Sequence, residues 1–161
     1  MMTFHDLYEQ YAPDVYRFAF WLSGSAADAD DITAETFVRA WAGNQKIRTE
    51  TVKAYLFTIA RNLYLKQIAR ARREVALDET LVAPLPEPDG QLARREALTA
   101  VFHQLQQLSE TDRAAFILRI QYELPYAEIA RILAISEAAA KVKVHRARLK
   151  LTAVRRDYEE A

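Results

Sequence analysis

The sequence predicts an all-α protein: two small helical domains joined by a flexible linker, the C-terminal one a helix-turn-helix. Three observations carry that prediction. Apolar residues recur at three- and four-residue steps almost throughout, and no stretch alternates with the period of a strand. Glycine and proline, three and five in number, are confined to a few places that punctuate the helical runs. Between Glu74 and Asp89 the composition flips: Glu74, Asp78, Glu79, Glu87 and Asp89 appear with no base, and Pro84, Pro86 and Pro88 hold the chain extended. That division gives domains at 1–75 and 92–161 with an acidic, proline-rich linker at 76–91.

The first helix covers Thr3 to Leu22, as one piece or as two broken near Pro13. Phe4, Leu7, Tyr8, Tyr11, Val15, Phe18 and Leu22 share one face and read as an aromatic core stripe. Ser23-Gly24-Ser25 breaks the pattern. Ser25 and Asp28 form a capping pair, and Asp28, Asp30 and Asp31 suit the positive end of a second helix that runs to Trp41. Ile32, Phe37, Ala40 and Trp41 face inward, while Asp28, Asp31 and Glu35 line an outer acidic edge. No histidine stands near those carboxylates in sequence, so they read as a solvated or partner-facing edge rather than a metal site.

A loop with Gly43 and Asn44 occupies Ala42–Thr51. The third helix, Val52–Arg73, buries Val52, Leu56, Ile59, Leu63 and Ile68. Arg61, Lys66, Arg70, Arg72 and Arg73 take other faces with Asn62 and Gln67, and Tyr55, Phe57 and Tyr64 are interleaved. Cations track a phosphate backbone and aromatic faces stack on unpaired bases. The residues alone fit that reading and a surface helix with a few core aromatics equally well.

Beyond the linker, Leu92–Leu108 resumes helical periodicity through Leu98, Val101, Phe102, Leu105 and Leu108. Ser109 and Asp112 cap a helix through about Tyr122, with Ala115, Phe116, Leu118 and Ile120 inside. Pro125 then opens PYAEIARILAISEAAAKVKVHRARLKL. Ile129, Ala130 and Leu133 form the inner face of a short helix. Ala134-Ile135 makes the turn, with Ile135 tucked into the core, and Ser136 caps the second helix. Ala140, Val144, Ala147 and Leu151 fall on one side of it; Lys141, Lys143, His145, Arg146, Arg148 and Lys150 fall on the others, with no acid until Asp157. A solvated helix face normally mixes signs, because like charges at i,i+4 repel. Keeping one sign favours a polyanionic partner, and a short helix, a tight turn and a basic helix are what entry into the DNA major groove requires.

The 161 residues include 22 basic and 22 acidic ones, so the net charge is zero and only its segregation points to nucleic acid. With no cysteine, disulfides and thiolate zinc sites are excluded. His5, His103 and His145 are far apart, so no metal or other cofactor is expected. The absence of a phosphate-cradling glycine loop and of paired carboxylates in a cleft argues against an enzyme. MMTFHDLYEQ does not read as a signal peptide, and no apolar run approaches the ~20 residues that span a bilayer. A cytoplasmic protein without membrane insertion is expected.

DADDITAETFVRAW at Asp28–Trp41, followed by YLFTIARNLYLKQIARARR at Tyr55–Arg73, resembles region 2 of bacterial extracytoplasmic-function sigma factors. LQQLSETDRAAFILR at Leu105–Arg119, with YAEIARILAISEAAAKVKVHRARLKL at Tyr126–Leu151, is similar to their region 4. The order, the spacing and the acidic linker match over nearly the whole chain. The resemblance implies a factor that binds core RNA polymerase, directs it to promoters and helps open the DNA. By that likeness Asp28, Asp31 and Glu35 would dock on the polymerase clamp. The loop Gly43–Thr51 and Asn62 would handle unpaired minus-ten bases, with Arg61, Lys66 and Arg70 near the strand. Ser136, Lys141, Lys143, Arg146 and Arg148 would hold the minus-thirty-five duplex, the linker would thread towards the polymerase active site, and an anti-sigma factor would be a further partner.

The sequence departs from the family pattern at Ala138-Ala139-Ala140, where Gly-Thr-Val is common, and at Pro125, where Ser or Thr is. Alanine cannot hydrogen-bond phosphate or base edges. Val142 stands where a small polar residue is usual and could meet a thymine methyl; Ala34 replaces a frequent glutamine in the polymerase-facing helix. Two other readings stand beside this one: a conventional helix-turn-helix regulator, and a polymerase-independent protein-interaction module. The basic-aromatic helix at Tyr55–Arg73 speaks against the first.

Overall fold

Every described element is a helix, in line with the all-α expectation. The computed structural model describes residues 2–43, 51–75 and 92–159, without the side chains of 74–75, 92–95, 97 and 154–159. The expected linker at 76–91, most of the loop Ala42–Thr51 and the last two residues lie outside the described residues. The chain divides into two units, Met1–Leu85 and Pro86–Ala161. The first holds α1 (Phe4–Ser23), α2 (Ala26–Ala42) and α3 (Val52–Val75); the second holds α4 (Leu92–Gln107), α5 (Glu110–Ile120), α6 (Tyr126–Leu133) and α7 (Glu137–Glu159).

In unit 1, a capping box starts α1. The Asp6 N–H donates to Thr3 Oγ1 at 3.1 Å, and the Thr3 N–H donates back to the Asp6 carboxylate at 3.0 Å. The hydrogen bond from the Thr3 backbone, helped by the Thr3 side chain, holds the Asp6 carboxyl below its usual range. Pro13 does not divide the helix: it sits on the exposed side of one continuous α1. Gly24, at φ 73°, ends it with its N–H on Phe20 O at 2.8 Å, a left-handed position where a β-carbon would be strained. Ser25 Oγ then accepts the Asp28 N–H at 3.2 Å and starts α2.

The three helices pack pairwise. Phe18 and Phe57 meet at 4.8 Å between ring centroids, with Val15, Leu22, Ile32, Phe37, Leu56 and Ile59 around them in the core. The single buried stripe expected on α3 is too narrow. Leu56 through Arg61 is buried continuously, because α1 and α2 cover different sides of the same turns. Thr33, Thr36 and Thr58 are buried there with their hydroxyls donating to carbonyls one turn back, at 2.6–2.8 Å. Val52, Trp41, Phe4 and Tyr8, expected inward, are 42%, 53%, 39% and 44% exposed. The first three lie in terminal turns, where a neighbouring helix covers one side only; Tyr8 keeps one edge against Phe37, with ring centroids 5.1 Å apart.

In unit 2, α7 packs against α4, α5 and α6. Phe102, Leu105, Leu118, Ile129, Leu133, Ala140, Val144 and Ala147 fill the core. Leu98 and Ile120, expected inside, are exposed, the latter because α5 ends at Ile120 rather than running to Tyr122. Arg113, in the first turns of α5, is buried. Its Nε donates to Leu105 O at 3.0 Å, and its Nη2 to Gln106 O at 3.0 Å and Leu108 O at 3.1 Å. A guanidinium thus satisfies carbonyls at the negative end of α4.

The corner between α6 and α7 is a Schellman motif. Ala134 takes φ 55°, ψ 47°; its N–H reaches Arg131 O at 3.3 Å, and the Ile135 N–H reaches Ala130 O at 3.0 Å. Pro125 stands one residue before α6 as its N-cap. Ile135 is half-buried.

Two outcomes follow. Arg113→Met removes the donor that those three carbonyls share and is expected to destabilise unit 2 by about 3 kcal/mol. Hydrogen exchange of α5 and α7 amides should speed accordingly, while fluorescence of Trp21 and Trp41, both in unit 1, keeps its denaturation midpoint. Ala134→Gly relieves the left-handed strain at the corner and is expected to stabilise unit 2 by about 0.5–1 kcal/mol, measured by the same exchange.

Candidate functional site

Helix α7 presents four lines of side chains at 3.6 residues per turn. Ala140, Val144, Ala147 and Leu151 are buried at 0%, 0%, 0% and 8% exposure, as their spacing required. Directly opposite runs an outer crest of Ala138, Val142 and Leu149, the last two 54% and 60% exposed. Two basic rows flank the crest: Lys141, His145 and Arg148 on one side, Lys143, Arg146 and Lys150 on the other. All are exposed except Lys143, which is half-buried. Ser136 does what its position predicted: its Oγ accepts the Ala139 N–H at 3.0 Å. Of the three alanines that depart from the family pattern, Ala140 is core, so only Ala138 and Ala139 bear on the outer surface.

The two rows are held differently, and neither hold was legible in the sequence. Lys143 Nζ lies 3.4 Å from Asp112 Oδ1, and Arg146 Nη1 lies 3.5 Å from Asp112 Oδ2. Asp112 reads in the sequence only as the capping partner of Ser109, and its N–H does donate to Ser109 Oγ at 3.2 Å. On the other row, Lys141 Nζ stands 5.8 Å from the ring centre of Tyr126, whose ring also carries Arg119 at 4.5 Å. The Arg119 guanidinium donates to Leu124 O at 3.0 Å and so ties Tyr126 to the segment ahead of α6.

In unit 1, the basic character of α3 lies along its second half. Asn62, Lys66 and Arg70 are exposed. Arg61, expected beside them, is buried at 9% exposure. It follows Phe57 and Thr58 by four and three residues, so its aliphatic stem lies on the face those residues bury. Phe57 likewise belongs to the core and not to a stacking surface; Tyr55 and Tyr64 are half-buried. Only Gly43 and Thr51, the ends of the loop Gly43–Thr51, are described.

The acidic edge is present on α2, with Asp31 and Glu35 exposed and Asp28 half-buried. Glu35 accepts Arg39 Nε at 2.9 Å, a surface pair that leaves the edge largely solvated. A groove runs between this edge and α3, with Asp31 and Glu35 on one wall and Lys66, Gln67 and Arg70 on the other. Gln67 Oε1 is buried there with no hydrogen-bond partner among the described residues. No group of three or more potential metal ligands occurs among the described residues.

Comparison with known proteins covers both units. The family described as sigma-70 region 2 matches residues 7–74, and sigma-70 region 4 matches residues 98–151. The ECF RNA polymerase sigma factor SigM of Bacillus subtilis is 32% identical over 158 residues, covering 95% of this chain and 95% of that protein. The ECF sigma factor SigL of Mycobacterium tuberculosis is 33% identical over 144 residues, 86% of this chain and 81% of that one. Among solved structures, the sigma factor RpoE of Bartonella quintana, in complex with the anti-sigma factor NepR, aligns with a TM-score of 0.77. It is 29% identical, over 92% of this chain and 94% of that one.

Proposed function

The chain belongs to the extracytoplasmic-function (ECF) sigma factors of the sigma-70 family, and from that membership we propose how its residues share the work of initiation. The protein binds core RNA polymerase and directs promoter-specific transcription. Residues 1–75 dock on polymerase and take the minus-ten element, residues 92–161 take the minus-thirty-five element, and 76–91 connect them. Asp28, Asp31 and Glu35 offer the polymerase an anionic edge. Asn62, Lys66 and Arg70 line the path of the separated strand, while Arg61 supports that helix from beneath.

Helix α7 carries this reading. Its core line fixes it to unit 2 while Lys141, Arg146 and Arg148 remain on the surface around an apolar crest. Cations spaced along both flanks of a helix suit the two phosphate backbones that border a major groove, and Val142 on the crest suits a thymine methyl. Ser136 adds the helix N-terminus, where backbone N–H groups favour a phosphate.

Promoter selection requires binding and no catalysis, so the protein acts without a cofactor and works in the cytoplasm, where polymerase is. No described helix is long and apolar enough to cross a membrane. An anti-sigma factor is a fitting partner, as NepR is for RpoE. A stand-alone helix-turn-helix regulator would have no use for the region that matches residues 7–74, and a polymerase-independent interaction module would have no use for either basic surface.

Purified chain added to core polymerase is expected to give transcripts from discrete start sites on genomic DNA; no stimulation on any genomic template overturns the reading. On a promoter duplex recovered from such a start site, Arg148→Ala is expected to lower the slope of log affinity against log salt by about 0.9. An unchanged slope removes Arg148 from the DNA surface.

A further inference from the structure

Asp112 stands in the first turn of α5 at 2% exposure, yet its two carboxylate oxygens reach outward to two cations of α7. Oδ1 takes Lys143 Nζ at 3.4 Å and Oδ2 takes Arg146 Nη1 at 3.5 Å. The side chains of Lys143 and Arg146 are 23% and 52% exposed, so both are tethered from below and open above. The opposite row, with Lys141 and Arg148, rests on no carboxylate in the described contacts; Lys141 lies over the neutral ring of Tyr126. One flank of the helix therefore carries its own counter-charge, and the other does not.

We propose that Asp112 is a positioning residue for promoter discrimination: a built-in competitor that withholds Lys143 and Arg146 from any phosphate that does not arrive in register. The inference rests on the DNA-binding reading of α7. A carboxylate in a poorly hydrated site attracts its partners more strongly than an exposed one, and it cannot swing away. A phosphate that approaches Lys143 and Arg146 meets one surplus positive charge where two cations stand. Binding to arbitrary sequence depends almost wholly on phosphate contacts, so it loses most from the cations held back. A matching site keeps its base-edge contacts and gains an Arg146 whose planar guanidinium is already oriented. Discrimination rises although peak affinity is lower.

The test uses polymerase carrying the full chain and two duplex probes, one of random sequence and one selected by the natural holoenzyme from a random pool. Asp112→Asn is expected to raise affinity for the random duplex roughly five- to tenfold near 0.1 M salt and to steepen its salt slope by up to about 0.9 per cation released. Affinity for the selected duplex should rise less, so the ratio between the two falls. Asp112→Asn combined with Lys143→Met restores the net charge of the cluster and also removes the unpaired lysine, so its slope is expected to return to the natural value. Thermal melts of both variants check folding, and Asp112→Ser, also neutral but smaller, takes the place of Asp112→Asn if that variant melts. An unchanged slope in a folded chain with the single neutral substitution at Asp112 overturns the inference, as does an equal rise on both probes, which would make Asp112 a damper without selectivity. Holoenzyme with the natural chain that retains neither probe overturns the DNA-binding reading itself, and this inference with it.

Discussion

A buried guanidinium sets the arrangement of unit 2. Taking Arg113 out of water costs several kcal/mol, and three carbonyls at the end of α4 that accept from it offset that cost. The end of α4 is thereby fixed against the start of α5. The neighbouring Asp112 is also buried, but its carboxylate reaches α7. Two adjacent residues of opposite charge thus fasten α5 to the helix before it and to the helix that forms the outer surface. Since α7 touches every other helix of the unit, the position of its exposed rows is decided by groups that solvent barely reaches.

Both units must let one helix serve as core and as basic surface, and they solve that differently. In α3 the two roles are divided along the axis: Leu56 to Arg61 is buried on all sides, and Lys66, Arg70, Arg72 and Arg73 lie exposed beyond it. In α7 the roles are divided around the circumference, with one line buried and three exposed. The first arrangement gives a well-anchored stem with a charged end, suited to following a strand. The second gives a rod seated along its length, suited to lying in a groove. A net charge of zero hides both, because Asp28, Asp31 and Glu35 balance cations elsewhere.

The fold class, the helix-turn-helix and the inner line of α7 were legible because periodicity and capping are local. Ser25, Ser109 and Ser136 each accept the N–H three residues on, as their positions implied. What the sequence could not show depends on how many neighbours a helix has. Arg61 reads as a surface cation beside Asn62, and it is buried because α1 and α2 pack on different sides of α3. Asp112 and Arg113 read as ordinary first-turn residues of a capped helix; their partners lie as far as 34 residues along the chain, at Arg146. Trp41, Val52 and Ile120 show the reverse error, since apolar residues in end turns lack a second neighbour to cover them.

Ala140 has no exposed surface, and it stands where α7 leaves the corner after α6. Side chains at such a point act as a spacer between two rods. A methyl group more or less there would tilt the whole outer rod, and Lys141, Val142, Arg146 and Arg148 would shift together relative to any base pair they meet. Which promoters a lineage of such factors prefers can therefore drift through an interior alanine, with every residue that faces the DNA left unaltered.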